Sequence, residues 1–321
     1  MLNHASVSFI LREHALFSSS PMAEFSSVLN GSDPPVHTEM RRALQPLFDR
    51  KLQLARRDAV REITRRRIDE LKPRDWFEMV DDFTAPITHS IACGWLGVRE
   101  DRTAPIKAKQ VRDVRWSDVE PALNPDGPVA LLASANQLDT KAIAELVAFL
   151  LVAGVETVRE LVAFGLLAIS RDTDCVDGLL SNATTIPDVL EELIRLEPAV
   201  HTLLRRTSQD VEIEGHVIPR GSVVWASLAA ANRDPLNFDD PDAIIPGRDG
   251  TSHVSFGAGQ HFCPGRYLGR VEAEVILSEL MPHFRTLIDR SARPAMRFSG
   301  PNGSPALRQI ESWKLSFGGN G

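Results

Sequence analysis

Phe256-Gly257-Ala258-Gly259-Gln260-His261-Phe262-Cys263-Pro264-Gly265 is the stretch on which the fold turns. Gly257, Gly259 and Gly265 let the backbone turn tightly and bring amide N–H groups close to the Cys263 sulfur. Pro264 suits the first position of a helix, since it needs no donor and already has the right φ. The segment from Gly265 to Leu280 reads as that helix. Its positive dipole end beside the sulfur is expected to lower the thiol pKa. Cys263 alone leaves two readings open: a buried structural cysteine in a turn, or a thiolate held for a metal.

Other stretches share this ambiguity when taken singly. Asp139 or Thr140 can cap a helix running to about Ser170, roughly 45 Å long at 1.5 Å per residue. Its apolar residues occupy almost every face, which predicts a helix buried all round. Within it lies Ala153-Gly154-Val155-Glu156-Thr157. Small residues at 153 and 154 let a flat ligand approach the backbone, and an acid beside a threonine offers a carboxyl and a hydroxyl for moving a proton. A Glu and a Thr that merely tolerate a helix explain the same letters. Glu192 and Arg195 stand at i, i+3 and can pair on one face. His37 and Arg41 share a helix face after Asp33-Pro34-Pro35. Val211 to Gly221 alternates and turns like a β-hairpin.

Together these stretches form a pattern. The run at Cys263 resembles the haem-binding loop of the cytochrome P450 family, F-x-x-G-x-x-x-C-x-G, with every fixed position present. Ala153 to Thr157 resembles that family's A-G-x-[DE]-T motif, Glu192–Arg195 its E-x-x-R, and Ala230-Ala231-Asn232-Arg233-Asp234-Pro235 its A-N-R-D-P turn. The resemblance implies a mainly α fold with a small β-domain, and one haem-thiolate domain over residues 1–321. It implies haem b (iron protoporphyrin IX) as cofactor, with Cys263 as its metal ligand in a loop framed by Phe256, Gly257 and Gly265. It makes His37, Arg41, Arg205 and His261 the contacts of the haem propionates, and places Ala153 against the haem. Thr157 would hydrogen-bond the oxygen being activated and Glu156 would relay protons. Glu192 and Arg195 would join Arg248 in a triad that folds the cysteine loop.

Composition agrees with a globular protein: 321 residues, 43% hydrophobic and 25% charged. Three cysteines without a CxxC pair exclude a disulfide framework and a tetrahedral zinc site on spacing grounds. A reduced, cytoplasmic setting is the default expectation. Met1 to Phe17 carries His4, Arg12, Glu13 and His14 through what a secretory signal would keep apolar. The longest apolar run, Leu146 to Val155, is too short to cross a bilayer, so a soluble, bacterial-type member with no membrane partner is expected. Residues 41–74 hold twelve Lys and Arg against five Asp and Glu in a chain of net charge −7. Such a run is either a solvated helix face or a docking patch for an acidic electron-transfer protein. The resemblance favours a ferredoxin-type donor fed by an NAD(P)H reductase. Nucleic-acid binding is disfavoured, because the run has almost no interleaved aromatics.

The chain also departs from the family pattern. Val7 to Ser19 resembles the family's second helix and its continuation, so the first helix and first strands have no counterpart. Ser20 to Ser32 is a shortened form of the loop that arches over the substrate. Little more than fifty residues separate Leu96-Gly97-Val98 from Ala153, broken by Pro105, Pro121, Pro125, Gly127 and Pro128. A truncated P450 fold with an open roof is therefore expected, suited to a bulky or carrier-bound substrate or to a partner protein covering the haem face. The leading expectation is a monooxygenase that uses O₂ to oxidise a small organic molecule in secondary metabolism. A peroxide-driven or non-oxygenating haem enzyme, and a non-catalytic haem-fold partner protein, are the alternatives. The Glu156–Thr157 pair disfavours both.

Overall fold

The computed structural model describes residues 3–135, 138–248, 253–289, 294–299 and 307–318. Thirteen α-helices carry just under half of the described residues. They are α1 (His4–Arg12), α2 (Val36–Leu44), α3 (Arg50–Leu54), α4 (Arg57–Leu71), α5 (Ala85–Leu96), α6 (Ala104–Lys107) and α7 (Trp116–Val119). They continue as α8 (Pro128–Ser134), α9 (Thr140–Arg171), α10 (Thr173–Leu180), α11 (Ile186–Leu196), α12 (Leu228–Ala231) and α13 (Arg266–Leu280). The strands are short and all antiparallel. One sheet has the order β1 (Phe17–Ser18), β3 (Thr202–Thr207), β6 (Val223–Ser227), and another β2 (Phe77–Glu78), β10 (Lys314–Phe317), β7 (Leu287–Asp289). Two hairpins pair β4 (Val211–Ile213) with β5 (His216–Ile218) and β8 (Ala295–Ser299) with β9 (Leu307–Ser312). The first is the hairpin expected from the sequence, and it turns at Glu214 and Gly215, both at positive φ.

Helix α9 is the axis of the molecule. Asp139 caps it by accepting from the Ala142 N–H at 2.7 Å, and its 32 residues span about 48 Å. The first half packs on α5, α7 and α8, where Leu146, Val147 and Leu150 meet Ile106, Val111, Val114, Val119 and Val129. The second half packs on α10, α11 and α13 through Phe164, Leu166 and Val162. Each fully buried aliphatic side chain contributes about 1.5–3 kcal/mol, so these two clusters hold the fold. A third cluster joins α1 to the β-rich end through Val7, Ile10, Phe17, Val211 and Val224.

One sequence expectation is corrected here. Helix α9 is not buried all round: residues 152 to 157 are all partly exposed, between fully packed stretches on either side. The shortened roof packs on α9. Between Val98 and Ala135 the proline-broken segment forms three short helices whose apolar residues pack directly on α9. Ser20 to Ser32 is well packed as well, with Pro21, Met22, Ser26, Val28, Leu29 and Gly31 buried.

Candidate functional site

The cysteine loop is shaped by its backbone. Gly257 and Gly259 take φ of 73° and 66°, in the left-handed region that glycine enters freely. A Cβ on Gly259 would lie 2.7 Å from the Leu11 carbonyl oxygen, so the loop can seat against the end of α1 only with glycine there. The Cys263 N–H donates to the Phe256 carbonyl at 2.9 Å and closes the loop. Helix α13 begins at Arg266 with Gly265 as its N-cap, so Pro264 precedes the cap rather than opening the helix. The expected lowering of the Cys263 pKa is not observed. Burial pushes the thiol up, and this outweighs the Gly265 N–H bond and the nearby Arg41, Arg266 and Arg270.

Beside this loop the structure gathers cationic and imidazole groups, and Asp33 is the one carboxylate among the described residues that acts on Arg205 and His37. Arg205 is 3% exposed, yet among the described residues its side chain's one hydrogen bond runs to the neighbouring Leu204 carbonyl. Burial lowers its pKa to about 10, with Asp33 the only charge opposing the shift. His37 and His261 lie with ring centroids 4.1 Å apart. Burial and Arg41 bring His37 down to about 4, and burial followed by Arg205, His37 and Arg41 brings His261 to about 2. His261 Nε2 meets the Ser19 hydroxyl at 2.9 Å, whereas the buried His37 Nε2 has no partner. Arg41 donates to the Phe262 carbonyl at 3.0 Å, which ties α2 to the cysteine loop. An uncompensated buried arginine and an orphaned imidazole nitrogen are costly unless an anion joins them.

Helix α9 passes close to this site. A Cβ on Gly269 would lie 3.8 Å from Val158 Cγ2, so α13 crosses α9 one residue beyond Thr157. Thr157 Oγ1 donates to the Ala153 carbonyl at 2.7 Å. Ala153, Glu156 and Thr157 all belong to the partly exposed window.

The expected triad is present. Arg195 grips Glu192 with two bonds of 2.7 and 2.9 Å, and Arg248 Nε donates to the same carboxylate at 2.9 Å. Arg195 also donates to the carbonyls of Asn232, Pro241 and Ala243. Asn232 carries the connection onward: its side chain accepts from the Val254 N–H at 2.8 Å and donates to Ser255 Oγ at 2.7 Å. The entry to the cysteine loop is thus tied to α11. Sequence reasoning missed a second tie. Arg270 pairs with Glu191 through two bonds of 2.6 and 2.8 Å and lies over the Phe256 ring, 4.4 Å from its centroid. Only the mutual positions of E-x-x-R and the loop could have hinted at it.

The family model for cytochrome P450 matches residues 124–310, more than half of the chain. The chain belongs to the cytochrome P450 family. Its relatives include cytochrome P450 107B1 of Saccharopolyspora erythraea, 28% identical over 80% of this chain and 69% of that protein. The 6-deoxyerythronolide B hydroxylase of the same organism is 29% identical over 82% of this chain and 72% of its own length. Among solved structures, CYP109E1 from Bacillus megaterium in complex with testosterone superposes with a TM-score of 0.87 at 22% identity, over 98% of this chain and 91% of that one. The fold is accordingly the mainly α P450 fold with a small β-region, and the activity class is that of a P450-type oxidoreductase.

The donor set fits the group this family binds. A thiol, two arginines and two histidines that form no ion pair among the described residues match an iron macrocycle that carries two carboxylates. Among the described residues no cluster of three or more His, Cys, Asp or Glu could hold a separate metal ion, and no helix is long and apolar enough to cross a membrane. Half of the basic run is neutralised by carboxylates of the same chain. Arg57 pairs with Glu274, Arg61 and Arg65 with Glu279, Arg67 with Glu70, Lys72 with Asp69 and Arg74 with Asp82. Arg42 and Lys51 form no ion pair among the described residues, and Arg50 lies over the ring of Tyr267 near the cysteine loop.

Proposed function

We propose that the protein is a haem-thiolate monooxygenase, with Cys263 as the axial ligand of haem b and Arg205, Arg41, His37 and His261 as its propionate contacts. The observation that carries this is Arg205, buried to 3% exposure beside histidines and a second arginine and forming no ion pair among the described residues. When bound, the haem supplies the reductive activation of O₂, and a thiolate ligand favours O–O cleavage. Phe256 and Gly257 shape the loop around Cys263, Gly265 donates its N–H to the sulfur, and Ala153 keeps the α9 surface low where a flat group must lie. Arg205 and Arg41 neutralise the propionates, and His37 Nε2 gains the partner it lacks.

The proton chemistry falls to Thr157 and Glu156. The Thr157 hydroxyl donates to Ala153 O and keeps its lone pairs for accepting a proton donor's hydrogen bond. Glu156, next to it in the exposed window, exchanges protons with solvent and passes them to that hydroxyl. The substrate is a small organic molecule entering over residues 152–157; a relative at 29% identity whose name makes it a hydroxylase supports hydroxylation as the reaction. Electrons come from a ferredoxin-type protein with an NAD(P)H reductase. Arg50, which lies over Tyr267 beside the cysteine loop, supports docking of an acidic donor there, and the exposed Arg42 and Lys51 near it in sequence add positive charge.

The test is turnover of a substrate panel under ¹⁸O₂ with ferredoxin, reductase and NADPH, run beside a peroxide-driven reaction. One labelled oxygen atom in the product of the ferredoxin-driven reaction is expected. Product from peroxide alone would favour the peroxide-driven alternative, and no product in either would favour the non-catalytic one.

A further inference from the structure

Residues 19 to 33 form a strap with a closed neck. At the neck, Asp33 accepts from the Ser19 N–H at 2.9 Å and from the Ser18 hydroxyl, while Ser19 Oγ meets His261 at 2.9 Å. The strap is folded tightly: a Cβ on Gly31 would sit 2.2 Å from the Ser26 carbonyl oxygen. Its far side reaches α9. Glu145, 4% exposed, accepts hydrogen bonds from the N–H groups of Ser27 and Val28 and from the hydroxyls of Ser26 and Ser27. Among the described residues Glu145 forms no ion pair, and no other hydrogen bond links the strap to α9. A buried carboxylate held only by the donors of one loop keeps its charge solvated as long as that loop stays in place. Its nearest neighbours fit the same role. Phe149, one turn on, takes the edge of Phe25 with centroids 6.2 Å apart. Val152 and Glu156, one and two turns further along the same face, lie in the partly exposed window.

We infer that Glu145 is a positioning residue that latches the strap onto α9 and thereby sets the largest ligand the window admits. The inference rests on the reading of that window as the haem-side substrate site. The roof helices α6 to α8 pack on α9 through apolar contacts, whereas the strap adds to its own apolar contacts, through Phe25, Val28 and Leu29, a set of hydrogen bonds to one buried carboxylate. Loosening that carboxylate admits bulkier ligands and leaves small ones unaffected.

The experiment combines amide hydrogen exchange with azole titrations of the haem-loaded protein. Glu145→Gln keeps the size of the side chain but removes the charge and turns one acceptor into a donor. It is expected to speed exchange at Ser27 and Val28 by at least about tenfold, the scale of a charge-assisted hydrogen bond. Followed by the Soret shift, it should tighten clotrimazole binding by about tenfold and change imidazole binding by less than about twofold. Ser27→Ala, which leaves the carboxylate its N–H donors, should move both readouts the same way by a smaller factor, and it carries the test alone if Glu145→Gln does not fold. Unchanged exchange at Ser27 and Val28 would overturn the latch. Equal shifts for the large and small azoles would overturn its role in ligand size. An imidazole that fails to shift the wild-type Soret band would overturn the haem reading instead, and the exchange result would still decide the latch.

Discussion

Thr157 shows how little a single residue needs in order to matter. Its hydroxyl already bonds the Ala153 carbonyl at 2.7 Å, so it is oriented before any ligand arrives. Thr157→Ala should leave folding intact, because surface-window residues of this kind change stability little. It should lower product formed per NADPH consumed by roughly tenfold or more, the scale of a lost proton-transfer group. Equal coupling in Thr157→Ala and wild type would remove Thr157 from the proton path. Cys263 teaches the opposite lesson. The letters around it promised a lowered pKa from the helix dipole, and burial reverses the sign. The dipole argument reads one helix end, whereas desolvation sums over everything packed around the sulfur, including segments distant in sequence.

At the scale of elements, α11 holds the cysteine loop at two points. Glu192 and Arg195 are 1% and 0% exposed as side chains, so neither charge can turn to water when its partner is lost. Glu192→Gln should lower stability by about 3–5 kcal/mol and reduce the fraction of protein that retains haem. An unchanged urea midpoint would contradict this. Glu191 is the second point, and it sets a pH dependence. Burial would raise its pKa, but the bonds from Arg270 and His253 outweigh that and hold it at about 2. Its folded pKa thus lies below the unfolded value. The stability it contributes is fully present above about pH 4.5 and is lost as the pH falls through the folded value near 2. Because Glu191 is more than a third exposed, its contribution is only about 1 kcal/mol. Urea unfolding of wild type and Glu191→Gln should therefore differ by a constant amount from pH 7 to about 5, and the difference should shrink at pH 4 and 3. A gap that widens on acidification would refute the assignment.

At the scale of the whole molecule, the readable parts were those written in contiguous letters. The cysteine loop, E-x-x-R, the Asn232 turn and the α9 motif each lie within one element, and the structure brings them together as the family pattern implies. The unreadable parts join residues far apart in the chain. Glu145 meets Ser27 across 118 positions, and Arg270 meets Glu191 across 79. No local pattern marks either pair. The shortened roof was visible as missing length, but its packing was not, since the apolar residues of 98–135 could be assigned to α9 only once both were placed. The basic run was visible as composition, yet which charges remain after pairing depended on Glu274 and Glu279 of α13. The arginines left near the loop give a testable surface. Ferredoxin-supported reduction should slow severalfold between 0.05 and 0.5 M salt, as screening shortens from above to well below ~10 Å, and Lys51→Glu should weaken that dependence. A rate insensitive to salt would place the donor elsewhere. The central claim, that Cys263 holds a haem iron as thiolate, is tested most directly by the carbon-monoxide difference spectrum of the reduced, haem-loaded protein. The wild type is expected to show the thiolate-type Soret band and Cys263→His to lose it, while a wild type without that band, or a variant that keeps it, would contradict the claim.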